Sequence, residues 1–358
     1  MGRPIGDNIG VYEYVTMIGL ELCTDTDLSG WGFCLFVTQG RFSKPLPWLE
    51  TTPGLNELGH QFDKKWWPLL HKKNVIDVKQ DCQGGSVFMG QNWFAGAIQM
   101  ALWDLLGKQE TLPVYKLLDA DVRRDRVRAY GSGLCFHLSE QETVAIYRRF
   151  VDMGITTVKV KVGHPDPKQD IRRLKLVRET VGKDIDISVD ANLAWTARET
   201  IERVARYRDA GVNIIYVEDP MPANDIEGYR ALASANVIDI AAHDYITEHA
   251  ELEELLRADV IDYVRCTFDL DNIIARDKLA RKYGKPSIIS NAPFEIGIHA
   301  GVVSSNVELI EFSGLAWNDL PINPVRIEEG YMLVPQQPGH GFEPKPEVLA
   351  AWRQDESD

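Results

Sequence analysis

The stretch DISVDANLAWTARETIERVARYRDAGVNIIYVEDP, residues 186–220, decides the fold. Its first run, DISVDA, is short, β-rich and closes on an acid, Asp190. TARETIERVARYRDAG then reads as an amphipathic helix ending at Gly211, a residue suited to the left-handed turn that stops helices. IIYVEDP is a second strand, closing on a second acid, Glu218. Strand, helix, strand is the unit from which parallel α/β sheets are built.

The unit repeats in both directions. Eight strand candidates stand in series: VRAYGSG from Val127, TTVKVKV from Thr156, DISVDA from Asp186, IIYVEDP from Ile214, VIDIAA from Val237, VIDYVRC from Val260, SIISNA from Ser287 and VELIEF from Val307. Helix-like segments such as SEQETVAIYRRFVDMG and NIIARDKLARKYG lie between them, each ending in glycine. A doubly wound open sheet would alternate in the same way, but it would announce a nucleotide with a glycine-rich turn after its first strand, and that turn is absent. Acids fall instead at the C-terminal ends of successive strands, where barrel enzymes assemble their sites. The expected fold is therefore an α/β (β/α)8 TIM-type barrel over residues 126–324. Residues 1–125 read as an α+β cap, with a hairpin in VTMIGLELCTDTDLSGWGFCLFVT around Asp27 to Gly32 and a helix in NWFAGAIQMALWDLLGKQ. The Pro- and Gly-rich tail, residues 325–358, holds too few apolar residues for a ninth unit and is expected to pack back on the cap.

Composition narrows the partners. Across 358 residues the formal charge is -14, with no basic stripe, which argues against nucleic acid. No run is apolar enough to span a bilayer, and MGRPIGDNIGVYEYV lacks a basic segment followed by an apolar one, so a cytoplasmic protein with no membrane partner is expected. Five cysteines without a CxxC pair suggest neither a disulfide framework nor a thiolate zinc site.

Asp190 in SVDAN, Glu218 in YVEDP and Asp244 in AAHDY close consecutive strands. In a barrel their side chains converge on one mouth, where three carboxylates repel one another unless a hard cation neutralises them. All-oxygen ligation suits Mg2+. One strand earlier, Lys159 and Lys161 share a face, because side chains alternate along a strand. An outward pair would drive two ammonium groups under the helices, so both are expected inside. There, crowding and desolvation lower one lysine's pKa toward that of a general base.

These residues resemble the enolase superfamily, in its mandelate racemase and muconate lactonizing enzyme branch. LSGWG, AIQMALWDLLGKQETLPVYKLLD and RVRAYGSG resemble the branch's cap pattern; KVKVG, VDAN, VEDP and PGHGFE resemble its barrel and tail. The resemblance implies Lys161 as base, Lys159 as its electrostatic partner near the substrate carboxylate, and Asp190, Glu218 and Asp244 as Mg2+ ligands. His243, where many relatives carry Gly or Ala, is a rival ligand. Asn192 and Glu311 match substrate-binding positions. Asp262 fills the place of the branch's strand-six aspartate, whereas Asn291 stands where a strand-seven histidine is expected, and Asn cannot shuttle a proton near neutral pH. His299 is the candidate acid in its stead, with His137 and His164 weaker ones. Trp31, near the hairpin turn, and Trp48, in GRFSKPLPW, are candidate lids over the substrate.

One strong base without a symmetrical partner favours abstraction of the proton α to a sugar-acid carboxylate followed by β-elimination, as in an acid-sugar dehydratase. A cycloisomerase, a racemase or epimerase, and a catalytically silent sugar-acid-binding relative are the alternatives. The expected partner is a small carboxylate, with assembly as a homo-oligomer.

Overall fold

Thr196 sets the start of the quoted helix. Its hydroxyl accepts the Glu199 N–H while the Glu199 carboxylate accepts the Thr196 N–H, a reciprocal box that satisfies two amides the first turn would otherwise leave bare. The helix runs Ala197–Asp209, and Gly211, at φ 81°, turns the chain back toward the sheet. Ser139 and Glu142 repeat the box at helix Glu140–Asp152. In this computed structural model the residues described are 5–6, 10–42, 59–60, 62–82, 93–133, 136, 138–242, 244, 249–267, 269–290, 295–314 and 319–354.

The N-terminal part contributes β1 (Ile5–Gly6), β2 (Gly10–Cys23) and β3 (Ser29–Phe42), an antiparallel sheet whose β2–β3 turn holds Asp27 at positive φ. The eight runs then appear in order as β4 (Arg126–Gly133), β5 (Thr157–Lys161), β6 (Asp186–Asp190), β7 (Tyr216–Glu218), β8 (Asp239–Ala242), β9 (Tyr263–Cys266), β10 (Ser287–Ile289) and β11 (Val307–Phe312). Each pairs in parallel with the next, and β11 pairs with β4, so the sheet closes into an eight-stranded barrel. Alternation divides the side chains. Val158, Val160, Val189, Val217, Ile240, Val264 and Cys266 point outward into the main core beneath the helices. Tyr130, Tyr216, Ala241, Tyr263, Ile288 and Leu309 fill the barrel's interior, and the charged residues lie above them.

The cap hairpin rests on helix Trp93–Glu110 at backbone contact: a Cβ on Gly32 would fall 1.7 Å from the Ala97 carbonyl oxygen. Trp66, Val78, Ile98 and Leu102 form the cap's own cluster. The tail does more than return to the cap. Its first half forms a hairpin, β12 (Arg326–Glu328) and β13 (Tyr331–Leu333), and β13 pairs antiparallel with the N-terminal half of β4, so this part belongs to the barrel wall. Its second half does reach the cap: the His340 N–H donates to Asp104 Oδ1 at 2.9 Å and Lys108 pairs with Glu343 at 2.5 Å. Among the described residues no helix is long and apolar enough to cross a membrane.

Candidate active site

The register of β5, β6 and β7 aligns Lys161 with Asp190 and Asp190 with Glu218, so three inward side chains stand in one row at the C-terminal mouth. Lys161 Nζ lies 2.5 Å from Asp190 Oδ2 and 3.0 Å from Asn192 Oδ1. Lys159, one layer deeper and fully buried, lies 2.8 Å from Glu218 Oε1, 3.2 Å from Glu311 Oε2 and 3.5 Å from Asp190 Oδ2. Both lysines face inward.

Each charge in this layer is set by its neighbours. Burial opposes the charged form of Lys159, but Glu218 and Glu311 overcome it and hold its pKa well above the usual lysine range, so Lys159 is not the lowered member of the pair. Asp190 is likewise desolvated, yet Lys161 and Lys159 bring it down to about 2. Glu218 goes the other way: burial, then Asp190 and Asp244, push it up to about 8 against the pull of Arg265 and Lys159. Asp219 is also raised, by burial, Asp244 and Glu218.

Glu218, Asp219 and Asp244 bring carboxylate oxygens within 4.8 Å of one another. Asp190, expected in that set, is engaged by the lysines instead, and Asp219 joins in its place. Asp219 sits at positive φ, 43°, and its Oδ2 accepts the Asp244 N–H at 3.1 Å. Oε2 of Glu218 is buried without a hydrogen-bond partner among the described residues. A crowd of carboxylates with an orphaned buried oxygen fits a hard divalent cation, and an all-oxygen donor set does not fit zinc.

Three expectations are corrected. Asp262 precedes β9 at the wrong end of the barrel: its carboxylate accepts the Ile240 N–H at 2.8 Å and its own N–H donates to the Ile240 carbonyl, so it ties strand starts together, remote from the mouth. His299 is sealed between helix Val114–Leu118 and the tail. Its Nδ1 accepts the Tyr115 N–H, its Nε2 donates to the His340 carbonyl, and burial drops its pKa to about 3, so the ring is neutral and its one N–H is committed to that carbonyl. Trp31 is packed rather than poised as a lid: it is 8% exposed, stacks on Phe33 and lies against Met100, Ile296 and Phe342. His164 is a loop residue whose ring accepts the Asp166 N–H. Asn291, His243, His137 and Trp48 lie outside the described residues.

The sequence reading missed Asp219, Tyr130 and Arg265. The Tyr130 hydroxyl donates to Glu311 Oε2 at 2.8 Å, and Arg265 NH2 reaches the same oxygen at 2.8 Å. The signal for Arg265 was present: with Val264 and Cys266 outward in YVRC, the residue between them must face the axis.

The profile of the mandelate racemase/muconate lactonizing enzyme C-terminal family, described as enolase C-terminal domain-like, matches residues 142–348. The chain belongs to the enolase superfamily. Its curated relatives in that superfamily include the L-talarate/galactarate dehydratase of Salmonella typhimurium, 32% identical over 68% of this chain and 61% of the relative. The arabinonate dehydratase of Saccharolobus solfataricus is 30% identical over 68% of each chain. Among enolase-superfamily structures, a Mesorhizobium loti protein assigned to the mandelate racemases superposes with a TM-score of 0.84 at 30% identity, covering 97% of this chain and 90% of that one.

Proposed function

We propose that the chain is a Mg2+-dependent lyase that takes the proton α to the carboxylate of a sugar acid and then expels a β-hydroxyl. The observation that carries this reading is Lys161 Nζ, inward at the mouth, in one row with Asp190 and Glu218. Identities of 32% and 30% with two sugar-acid dehydratases supply the substrate class. Glu218 and Asp244 would hold the ion, with Asp190 as the third ligand implied by the resemblance and Asp219 bracing the Asp244 backbone. When bound, the ion supplies Lewis acidity toward the substrate carboxylate, making the α-proton removable.

Lys161, in its neutral form, accepts that proton at Nζ, and Asn192 and Asp190 fix the direction of its approach. Lys159, held charged, faces the oxygen on which negative charge develops. Tyr130, Lys159 and Arg265 together fix Glu311, the acid that would orient the substrate. The electron pair left by the α-proton then forms the double bond between the α- and β-carbons, the β-hydroxyl departs as water with a proton from Lys161, and the resulting enol tautomerises to the 2-keto-3-deoxy acid. One residue thus serves as base and then as acid. Two-base epimerisation is less well supported, since Asp262 and His299 both lie away from the mouth.

The test is incubation with Mg2+ and a panel of aldonic and aldaric acids in deuterated water. A 2-keto-3-deoxy product carrying deuterium at C3, with returned substrate carrying it at the α-carbon, is expected, and Lys161→Met should abolish both. Exchange without elimination would favour epimerisation, a ring-opened isomer would favour cycloisomerisation, and silence across the panel would leave a binding protein.

A further inference from the structure

The floor of the mouth holds an arginine that neither ligation nor proton transfer requires. Arg265 is fully buried on β9, and its Nε and NH2 atoms lie 3.2 Å from the two oxygens of Asp244. NH2 also lies 2.8 Å from Glu311 Oε2 and 3.4 Å from Glu218 Oε1, and NH1 bonds the Tyr130 hydroxyl. One guanidinium thus clasps one proposed ligand at both oxygens and touches a second. With every one of these groups ionised, the mouth sets five acids (Asp190, Glu218, Asp219, Asp244, Glu311) against three bases (Lys159, Lys161, Arg265), so the acids are in excess.

We propose that Arg265 is a resident cation that weakens the site's hold on its divalent metal, so that the pocket keeps its shape between loadings and exchanges the ion readily. This rests on the metal reading above. Two effects oppose each other. Fixing Asp244 favours binding by sparing the ordering of one side chain, whereas a positive charge against the ligand set opposes it by repulsion. In an interior far less polarisable than water, repulsion between a monovalent and a divalent charge a few ångströms apart outweighs the rotamer freedom of a single aspartate. The charge effect therefore wins.

The experiment is Mn2+ binding, followed by the electron paramagnetic resonance signal of the free ion, with Mg2+ competition, on wild type, Arg265→Met, Arg265→Gln and Arg265→Lys. Both neutral variants should bind at least about tenfold more tightly, the scale expected for removing a like charge beside the ion in a partly buried site. Arg265→Lys, which keeps the charge but loses the clasp, should bind no more tightly than wild type. Neutral variants that bind no more tightly, or a lysine variant that gains as much as they do, would overturn the proposal. Should a neutral variant fold only when Mg2+ is present, the ion is replacing the missing charge, as expected; failure of all three variants to fold with or without Mg2+ assigns Arg265 to the core alone and overturns it. Asp244→Asn serves as the control: if it binds Mn2+ as wild type does, or if wild type binds none, the metal reading itself falls, whatever the Arg265 variants do.

Discussion

Lys159 shows how much a single buried charge can hold. Its ammonium, buried beneath the mouth, meets Glu218, Glu311 and Asp190 at once. Lys159→Met should lower unfolding free energy by about 3–5 kcal/mol in urea titrations, because it leaves buried carboxylates uncompensated. Asp269 is the opposite case. It caps helix Leu270–Lys282 by accepting the Asn272 N–H, yet burial pushes its pKa up to about 7, so the fold prefers it protonated. Its stabilising contribution is full below the ordinary aspartate range and is lost as pH rises through about 7. Asp269→Asn keeps the cap acceptor without the charge, so its stability advantage over wild type should be negligible at pH 4 and reach on the order of 3 kcal/mol at pH 8.5 in paired denaturation curves. An advantage independent of pH would refute this. At this scale the acids closing strands were readable because strand ends recur in order. Asp219 was not, since alternation alone sends the neighbour of an inward Glu218 outward, and only its positive φ brings it back. Asp262 misled for a related reason: β9 spans only Tyr263–Cys266, so an offset of a few residues moves a side chain from one end of the barrel to the other.

Elements were more legible than residues. All eight strand runs appear, because β-rich runs separated by amphipathic helices with glycine stops leave little choice of pairing. What pattern could not convey is how closely elements approach. Gly30 and Gly32 let β3 settle onto helix Trp93–Glu110: a Cβ on Gly30 would meet the Ala101 carbonyl and the Leu105 side chain, and one on Gly32 would meet only the backbone of Ala97. Gly32→Ala should therefore cost on the order of 3 kcal/mol, as overpacking against rigid backbone does, and should raise protease sensitivity in the cap before the barrel unfolds. Unchanged melting and proteolysis would show that the hairpin can slide. The same packing places Trp31 in a cluster shared by cap, barrel loop and tail, which is why an aromatic beside a glycine-rich turn here is a wedge and not a lid.

On the scale of the whole molecule, the barrel closes along one seam, and the seam is shared. β11 pairs with β4 only from Ala129 to Gly131, while the stretch Arg126–Arg128 is paired by β13. During synthesis on the ribosome, the first barrel strand must therefore wait for β13, which follows all the other barrel strands, to emerge before its backbone amides are all occupied. Until then it presents an unprotected margin, the kind of surface that nascent chains pair with one another. A gene shortened to end at residue 325 should accordingly yield inclusion bodies in place of soluble protein, even though every catalytic candidate would be encoded. Supplying residues 326–354 as a separate peptide during refolding should recover part of the soluble yield, and a shortened product that is soluble and monomeric without it would show that the seam can heal alone.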